Sequence, residues 1–247
     1  MLRNFITQNT KYYYVSLKKN ILIIGGSSGI GSSLLNKISH EHNVYVACRS
    51  NDSIPENVNY IKYDVLNDEL DTTSIPESID GFVYLPGSIN LRPFKSLSIE
   101  SFKEDLEINL IGLIKSIKSV LKNLNNSVSA SIVLFSTVAA QRGMPFHSSI
   151  SAAKGGVEGL AKSLAAEFSP KIRVNVIAPS LVNTPLANRF LNNDIKIEKS
   201  SQRHPLKRIG QPEDISNFIE YLLSEKSSWM TGQIISIDGG LSTIETN

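Results

Sequence analysis

The glycine-rich segment at residues 25–31 constrains the fold of this chain more than any other feature. It reads Gly-Gly-Ser-Ser-Gly-Ile-Gly, follows the apolar run at residues 21–24, and opens a helical pattern carried by Ile30, Leu34 and Ile38. Glycine permits positive φ and lets a ligand approach the backbone closely. The free N–H groups and positive dipole end at a helix N-terminus attract a diphosphate. The segment therefore predicts a strand–turn–helix unit that binds a nucleotide cofactor.

Apolar runs alternate with helical patterns along the rest of the chain, which predicts a parallel, doubly wound sheet. We expect a single-domain α/β Rossmann fold with a seven-stranded parallel sheet flanked by helices. Residues 20–247 should form this domain, after an N-terminal extension of residues 1–19. Long helices are expected at residues 98–124 and 148–168, and a further helix in the segment that begins at residue 204. The expected strands are residues 21–24, 44–48, 59–63, 81–85, 131–135, 173–177 and 234–238.

Composition narrows the class of protein. The net charge is +2 with both signs interleaved, which gives no nucleic-acid footprint, and no apolar run approaches the roughly 20 residues of a membrane helix. A single cysteine, Cys48, excludes an internal disulfide and any multi-cysteine metal site. The four histidines show no metal-ligand spacing. We expect a cytoplasmic protein with a small-molecule substrate and no nucleic acid, membrane or metal partner.

The residue after the second apolar run bears on the choice of cofactor. In dinucleotide folds an acidic residue about 20 positions after the glycines binds the ribose 2′-hydroxyl, whereas an arginine suits a 2′-phosphate. Here Cys48 is followed by Arg49. A guanidinium binds phosphate in a bidentate manner, and a carboxylate would repel it. The sequence therefore favours NADP(H) over NAD(H), with a solvated charge at the strand end as the alternative.

Several motifs together resemble the classical short-chain dehydrogenases/reductases along nearly the whole chain. They are the Gly-x-x-x-Gly-x-Gly spacing, the Asn-Leu-x-Gly motif at residues 109–112, and the lysine within Ser-Ala-Ala-Lys-Gly-Gly at residues 151–156. The chain departs from the family pattern at Ile24, at residues 84–87 and at Ser180, which replaces a glycine. The resemblance assigns cofactor binding to Gly25, Ser27, Ser28, Gly29, Ile30, Gly31, Arg49, Ser50, Asp64, Val65, Gly87, Lys154, Pro179, Val182 and Thr184.

The family's catalytic set is incomplete in this chain. The family uses a tyrosine four residues before the lysine as proton donor, and a serine thirteen residues before the tyrosine to hold the substrate oxygen. Counting back from Lys154 gives Ile150 and Thr137, and residues 141–156 contain no tyrosine. The resemblance implies that Asn109 holds a water linked to Lys154. The lysine is thus present, the serine is replaced by threonine, and the tyrosine is absent.

Three interpretations of the missing tyrosine stay open. In the favoured one, a substitute donor serves the same redox chemistry, because the cofactor segments and Lys154 remain. His147 precedes Ile150 by three residues, and a histidine ordinarily titrates near pH 6.5; the alternative for His147 is a packing or surface role. In the second, the scaffold performs a dehydratase, isomerase or lyase reaction. In the third, the protein is an inactive binding or regulatory subunit. The catalytic candidates are Asn109, Thr137, His147 and Lys154.

Two further expectations come from the resemblance. The polar segment at residues 186–210 matches a lid that covers the substrate, although it carries no chemical signature of that substrate. Glycine and alanine in the helix at residues 148–168 would permit close packing between subunits, as in a homotetramer or homodimer.

Overall fold

Seven parallel strands form one sheet in the order β3-β2-β1-β4-β5-β6-β7. The computed structural model describes residues 18–245, so nearly all of the expected N-terminal extension lies outside the described residues. The predicted fold class is confirmed, with strand ends differing by at most two residues from the expected ones. The strands are β1 (Asn20–Ile24), β2 (Asn43–Cys48), β3 (Asn59–Lys62), β4 (Gly81–Tyr84), β5 (Ala130–Phe135), β6 (Ile172–Pro179) and β7 (Ile234–Ile237).

Helices cover both faces of the sheet, because alternate strand residues point to opposite faces and both faces are apolar. Leu22, Phe82 and Ile132 pack toward one layer, whereas Ile21 and Val83 pack toward the other. The helices are α1 (Gly29–Ile38), α2 (Ile99–Leu106), α3 (Gly112–Asn126), α4 (Val138–Gln141), α5 (Ser148–Phe168), α6 (Asp194–Gln202) and α7 (Pro212–Leu223), with 3₁₀ turns at Phe94–Ser96, Pro185–Phe190 and Glu225–Ser227.

The strand order places a ligand crevice beside β1. The chain adds β2 and β3 on one side of β1, and then crosses to add β4 and the later strands on the other side. In open α/β sheets, ligands bind outside the carboxyl ends of the strands at such a reversal. The glycine segment follows β1, so it lies at this position.

Three helical segments differ from the sequence-based expectation. The long helix expected at residues 98–124 is divided by a π turn, Glu107–Ile111, between α2 and α3. The polar segment expected only as a lid contains the 3₁₀ turn Pro185–Phe190 and helix α6. The helix expected from residue 204 begins at Pro212, where Asp214 and Gln211 form a capping box. Within residues 18–245, no helix is long and apolar enough to cross a membrane.

Candidate active site

A cavity of about 850 Å³ opens at the carboxyl ends of the strands, between the glycine turn and the lid segment. Three sequence-predicted residues are not among those that line it: Ser50, Asn109 and Lys154. The predicted residues that do line it are Gly25, Ser27, Ser28, Gly29, Ile30, Gly31, Arg49, Asp64, Val65, Gly87, Thr137, His147, Pro179, Val182 and Thr184. The structure therefore brings together residues drawn from six of the seven strand ends.

The glycine turn has the geometry that its sequence predicts. Gly25 has a φ of 84°, a conformation that side chains disfavour, and its N–H donates to the carbonyl of Ala47 on β2. A Cβ on Gly31 would lie 2.6 Å from the carbonyl oxygen of Gly25, so only glycine lets α1 pack this closely on the turn. The side chain of Ser28 does not cap the first turn of α1. The start of this helix therefore presents N–H groups to the cavity.

The charges around the cavity favour an anionic ligand. Among the described residues that line the cavity, Asp64 is the one with a carboxylate. The Asp64 oxygens accept from the Leu66 backbone N–H and the Asn67 side-chain amide. Arg49 is exposed at the end of β2 and pairs with no carboxylate in residues 18–245. Burial raises the pKa of the neighbouring Cys48 thiol, so this residue adds no negative charge. The lining cations are Arg49, Arg189, Lys196, Lys199 and Arg203.

Thr137 and Ile150 line the same cavity from β5 and α5. Thr137 is the N-cap of α4, and its Oγ1 accepts from the N–H of Ala139 at 3.3 Å. Ile150 is 5% exposed and one helical turn before Lys154. His147 is the N-cap residue of α5, is half-buried, and its Nδ1 donates to the Pro145 carbonyl at 2.7 Å. Thr137, His147 and Ile150 thus line one cavity, and the side chain one turn before Lys154 is an alkyl group.

A buried polar cluster surrounds Lys154 and includes a carboxylate that the sequence analysis missed. Asp105 is fully buried, and its Oδ1 accepts hydrogen bonds from Ser88 and, at 3.0 Å, from Asn90. Its Oδ2 has no partner among the described residues. Burial lowers the pKa of Lys154 to about 8, and the charge of Asp105 opposes that effect. Asp105 therefore favours the ammonium form of a lysine that desolvation would otherwise neutralise.

Asn109 joins this cluster through the π turn. Its Nδ2 donates to the Asp105 carbonyl at 2.8 Å and to Ser88 Oγ at 2.9 Å, and its buried Oδ1 has no partner within residues 18–245. The Tyr84 hydroxyl donates to the Ile108 carbonyl within the π turn at 2.6 Å, which stabilises the irregularity. π turns often occur at functional sites because they redirect side chains. Asn109 thus lies in the π turn and also belongs to the buried polar cluster around Lys154.

Gly87 lies between this cluster and the cavity. A Cβ at Gly87 would lie 3.3 Å from Asn109 Oδ1 and 3.9 Å from Lys154 Nζ. The absence of a side chain therefore leaves room for a small ligand group or water near the lysine. An unpaired buried amide oxygen is an acceptor for such a group.

The cavity also contains a hydroxyl–imidazole pair, which the sequence analysis did not connect. Ser180 Oγ lies 2.9 Å from Nε2 of His204, and His204 Nδ1 lies 2.8 Å from the Ser200 carbonyl oxygen. His204 is 3% exposed, and both residues line the cavity. The replacement of a family glycine by Ser180 was visible in the sequence. The sequence did not reveal its partner, because His204 lies 24 residues later in the chain, within the lid segment.

Comparisons with known proteins agree with this architecture. A family model described as enoyl-(acyl carrier protein) reductase matches residues 63–242. The 2,5-dichloro-2,5-cyclohexadiene-1,4-diol dehydrogenase of Sphingobium indicum is 30% identical over 245 residues, covering 92% of this chain and 98% of the relative. The 3-oxoacyl-[acyl-carrier-protein] reductase FabG of Buchnera aphidicola is 29% identical over 241 residues, covering 91% of this chain and 97% of the relative.

Solved structures share the same fold. The ligand-free aldohexose dehydrogenase of Thermoplasma acidophilum superposes with a TM-score of 0.84 at 27% identity, covering 93% of this chain and 97% of that structure. The structure of ElxO with NADP bound gives a TM-score of 0.83 at 25% identity, covering 92% of this chain and all of the other.

Proposed function

This chain belongs to the short-chain dehydrogenase/reductase family of oxidoreductases, and we propose that it is an NADP(H)-dependent enzyme acting on a carbonyl or alcohol substrate through an atypical active site. The observation that carries the proposal is one continuous cavity. It joins the glycine turn and Arg49 at one end to Thr137 and the lid segment at the other. A cofactor and a substrate can therefore meet in the same cavity.

The residues present fit a dinucleotide with a 2′-phosphate. The uncapped start of α1 and the glycine turn suit a diphosphate, since neither presents a side chain that would fill the space. Arg49 extends from the end of β2 without a carboxylate partner within residues 18–245, so its guanidinium is available to a phosphate. The resemblance assigns the nicotinamide to the region of Pro179, Val182 and Thr184. The NADP bound to the related ElxO supports the same choice.

NADPH, when bound, supplies the hydride for carbonyl reduction. In our proposal Thr137 donates a hydrogen bond to the substrate oxygen, which develops negative charge as the hydride arrives. Lys154, whose charged form is supported by Asp105, holds the nicotinamide ribose. Asn109 offers its unpaired Oδ1 to a water beside Lys154. Ile150 gives the substrate an apolar contact and no proton.

The proton must come from another group, and two histidines reach the cavity. His147, proposed from the sequence, lies at the start of α5. Its Nδ1 is hydrogen-bonded to a carbonyl of its own loop, so Nε2 is the nitrogen that would donate a proton. His204 reaches the cavity through Ser180. Both histidines are candidate donors under the proposed function.

The missing phenol also supports a second function, a non-redox reaction or an inactive NADP(H)-binding subunit, because Ile150 cannot act as an acid. A direct assay separates the possibilities. The purified protein is incubated with NADPH and a panel of ketones, quinones and 3-oxoacyl thioesters, and with NADP⁺ and the matching alcohols. Consumption of cofactor with equimolar product supports the oxidoreductase. Tight cofactor binding with no redox turnover across the panel would favour the second function.

We also propose a homodimer or homotetramer, on the basis of the family resemblance. A Cβ added to Gly155 or Gly159 of α5 would meet no described atom within 4 Å apart from the nearby backbone of its own helix. This face therefore has space for a neighbouring helix. Light scattering of the purified protein tests this, and a monomer at micromolar concentration would contradict it.

A further inference from the structure

We propose that Ser180 and His204 form the proton-transferring pair of the active site, in place of the absent tyrosine. This inference rests on the proposed function, since it names the acid that the carbonyl reduction requires. The pair is a hydroxyl in the cavity backed by a buried imidazole, and no other described element of the site provides that combination. Ser180 would touch the substrate oxygen, and His204 would replace the proton that Ser180 gives up.

The hydrogen bonds fix the tautomer of His204. A carbonyl oxygen only accepts, so Nδ1, at 2.8 Å from the Ser200 oxygen, carries a hydrogen. In the neutral ring Nε2 is then an acceptor, and the Ser180 hydroxyl at 2.9 Å donates to it. In the imidazolium ring Nε2 also carries a hydrogen and donates to Ser180 Oγ instead. The ring is thus held in one orientation, with Nε2 on the serine.

Strand pairing places Ser180 beside the residue that would hold the substrate oxygen. β5 and β6 are parallel neighbours, with Phe135 opposite Ile177. The pairing continues beyond β5, because the Ser136 N–H donates to the Ile177 carbonyl at 2.8 Å. Thr137 and Ser180 therefore leave adjacent strands, which lie about 5 Å apart, at the same edge of the sheet. Both residues line the cavity.

The surroundings of His204 contain both signs of charge. Asp238, in the turn after β7, is close enough for the charge of His204 to contribute to its pKa. Burial raises the pKa of Asp238, but hydrogen bonds from Ser242 and Gly240 outweigh burial and lower it, which keeps a carboxylate near the ring. Lys199 and Arg203 of the lid segment line the same cavity and oppose a positive imidazole. The Asp238 carboxylate is buried in part, whereas Lys199 and Arg203 are exposed to solvent. Salt therefore screens the charge of Asp238 less than it screens the charges of the two cations.

Ser180 and His204 would pass a proton to the substrate oxygen in two steps. Bound NADPH would supply the hydride for the new C–H bond at the carbonyl carbon, and the C=O π electrons would pass to oxygen. That oxygen forms an O–H bond with the Ser180 proton, as the Ser180 O–H bond breaks. Ser180 Oγ regains a proton as the Nε2–H bond of protonated His204 breaks. The ring is left neutral and is reprotonated from solvent, and alcohol oxidation runs the same steps in reverse.

His204 suits this role better than His147. The His204 ring is held at both nitrogens and is almost fully buried, whereas the His147 ring is held at Nδ1 by a carbonyl two residues away in the same exposed loop. His204 also has a hydroxyl between it and the cavity, which extends its reach. A positioned donor gives a larger rate effect than a mobile one, because the transfer geometry is set before the reaction.

Four variants test the pair: Ser180→Ala, Ser180→Thr, His204→Gln and His147→Ala. His40→Gln is the matched control, since His40 is exposed at the end of α1 and outside the cavity. NADPH affinity is measured for each protein to show that the site is folded. Turnover is then measured with the best carbonyl substrate of the wild-type protein, together with the pH dependence of kcat/KM.

We expect Ser180→Ala and His204→Gln to reduce kcat by about 10²- to 10⁴-fold, the range typical of a lost general acid, while NADPH affinity stays within about threefold. Ser180→Thr keeps the hydroxyl and should retain most activity. A protein that carries both Ser180→Ala and His204→Gln should be little less active than either single variant, because the pair acts as a unit. In the wild-type protein, kcat/KM for reduction should fall as pH rises, and His204→Gln should abolish that fall.

Two results would overturn the pair while leaving the proposed function intact. One is wild-type turnover that survives both Ser180→Ala and His204→Gln. The other is a pH dependence that His147→Ala removes and His204→Gln does not. If Ser180→Ala and His204→Gln both fail to bind NADPH, the test rests on Ser180→Thr. A Ser180→Thr protein that binds NADPH normally must then have the activity of the wild type, and a lower activity would overturn the pair. A wild-type protein with no redox turnover on the panel would refute the proposed function and, with it, this inference.

Discussion

Ile150 and Lys154 stand one helical turn apart on α5, and both side chains are buried on its inward face. Ile150 lines the cavity, whereas Lys154 is not among the lining residues, and the charge of Asp105 opposes the effect of burial on the Lys154 pKa. An alkyl group therefore faces the cavity one turn before the buried lysine. Under the proposed function, carbonyl reduction requires a proton from another group.

Restoring a phenol should rescue a protein that lacks the Ser180 hydroxyl. Ile150→Tyr in the Ser180→Ala background places an acid one turn from Lys154, in a position that already lines the cavity. We expect kcat to rise by about 10²- to 10⁴-fold relative to Ser180→Ala alone. Ile150→Phe in the same background adds the ring without the hydroxyl and is the control. Equal activities of the tyrosine and phenylalanine proteins would show that position 150 does not face the reacting oxygen.

Removing the Thr137 hydroxyl should impair turnover more than folding. Thr137→Val keeps the shape, but loses the hydrogen bond to the substrate oxygen and the cap of α4. We expect a loss of about 10²-fold in kcat/KM, and a fall of about 1 kcal/mol in the free energy of unfolding. Thr137→Ser should retain both properties. Steady-state kinetics and urea denaturation measure the two effects, and unchanged kinetics in Thr137→Val would remove this residue from the mechanism.

Neutralising Asp105 should move the pH dependence of cofactor binding. The Lys154 pKa is about 8 with Asp105 opposing the effect of burial, so Asp105→Asn should lower it further. The ammonium would then be lost at a lower pH, and NADPH affinity would begin to fall nearer neutrality than in the wild-type protein. Glu104→Gln, an exposed carboxylate on the same helix, is the control. Titrations from about pH 6 to 9 measure the shift; identical profiles for the Asp105→Asn and wild-type proteins would contradict it.

Arg49 should discriminate between the two nicotinamide cofactors. Arg49→Gln removes a charge-assisted hydrogen bond worth about 1.5–3 kcal/mol, so NADPH affinity should fall by about 10- to 150-fold. NADH affinity should change little, because NADH has no 2′-phosphate. Lys62→Gln, at the end of the neighbouring strand β3 and outside the cavity, is the matched control. Equal losses of affinity for both cofactors would indicate a nonspecific charge effect.

Local patterns explain why the strands and the glycine turn could be predicted. Each depends on residues close together in sequence, such as the glycines of residues 25–31 and the apolar runs of β1 and β5. The π turn could not be predicted, because one extra residue in a turn barely disturbs an apolar periodicity of three and four. The burial of Asp105 also depends on residues distant in sequence, because its carboxylate accepts from Ser88 and Asn90, 15 or more residues earlier.

The Ser180–His204 pair shows the same limitation at the site itself. Ser180 follows β6, and His204 follows α6, so their contact depends on how the lid segment returns to the sheet. No local sequence pattern encodes that return. The sequence instead favoured His147, which is close to Ile150 along the chain, and this assignment is still to be tested by the variants above.

The most direct test of the account is a fluorescence titration of the purified wild-type protein with NADPH and, in parallel, with NADH. The account predicts a micromolar or tighter dissociation constant for NADPH and binding of NADH weaker by about tenfold or more, which is about 1.4 kcal/mol. Equal affinities would contradict the role of Arg49. Failure to bind either cofactor would contradict the central claim that this chain is an NADP(H)-dependent oxidoreductase.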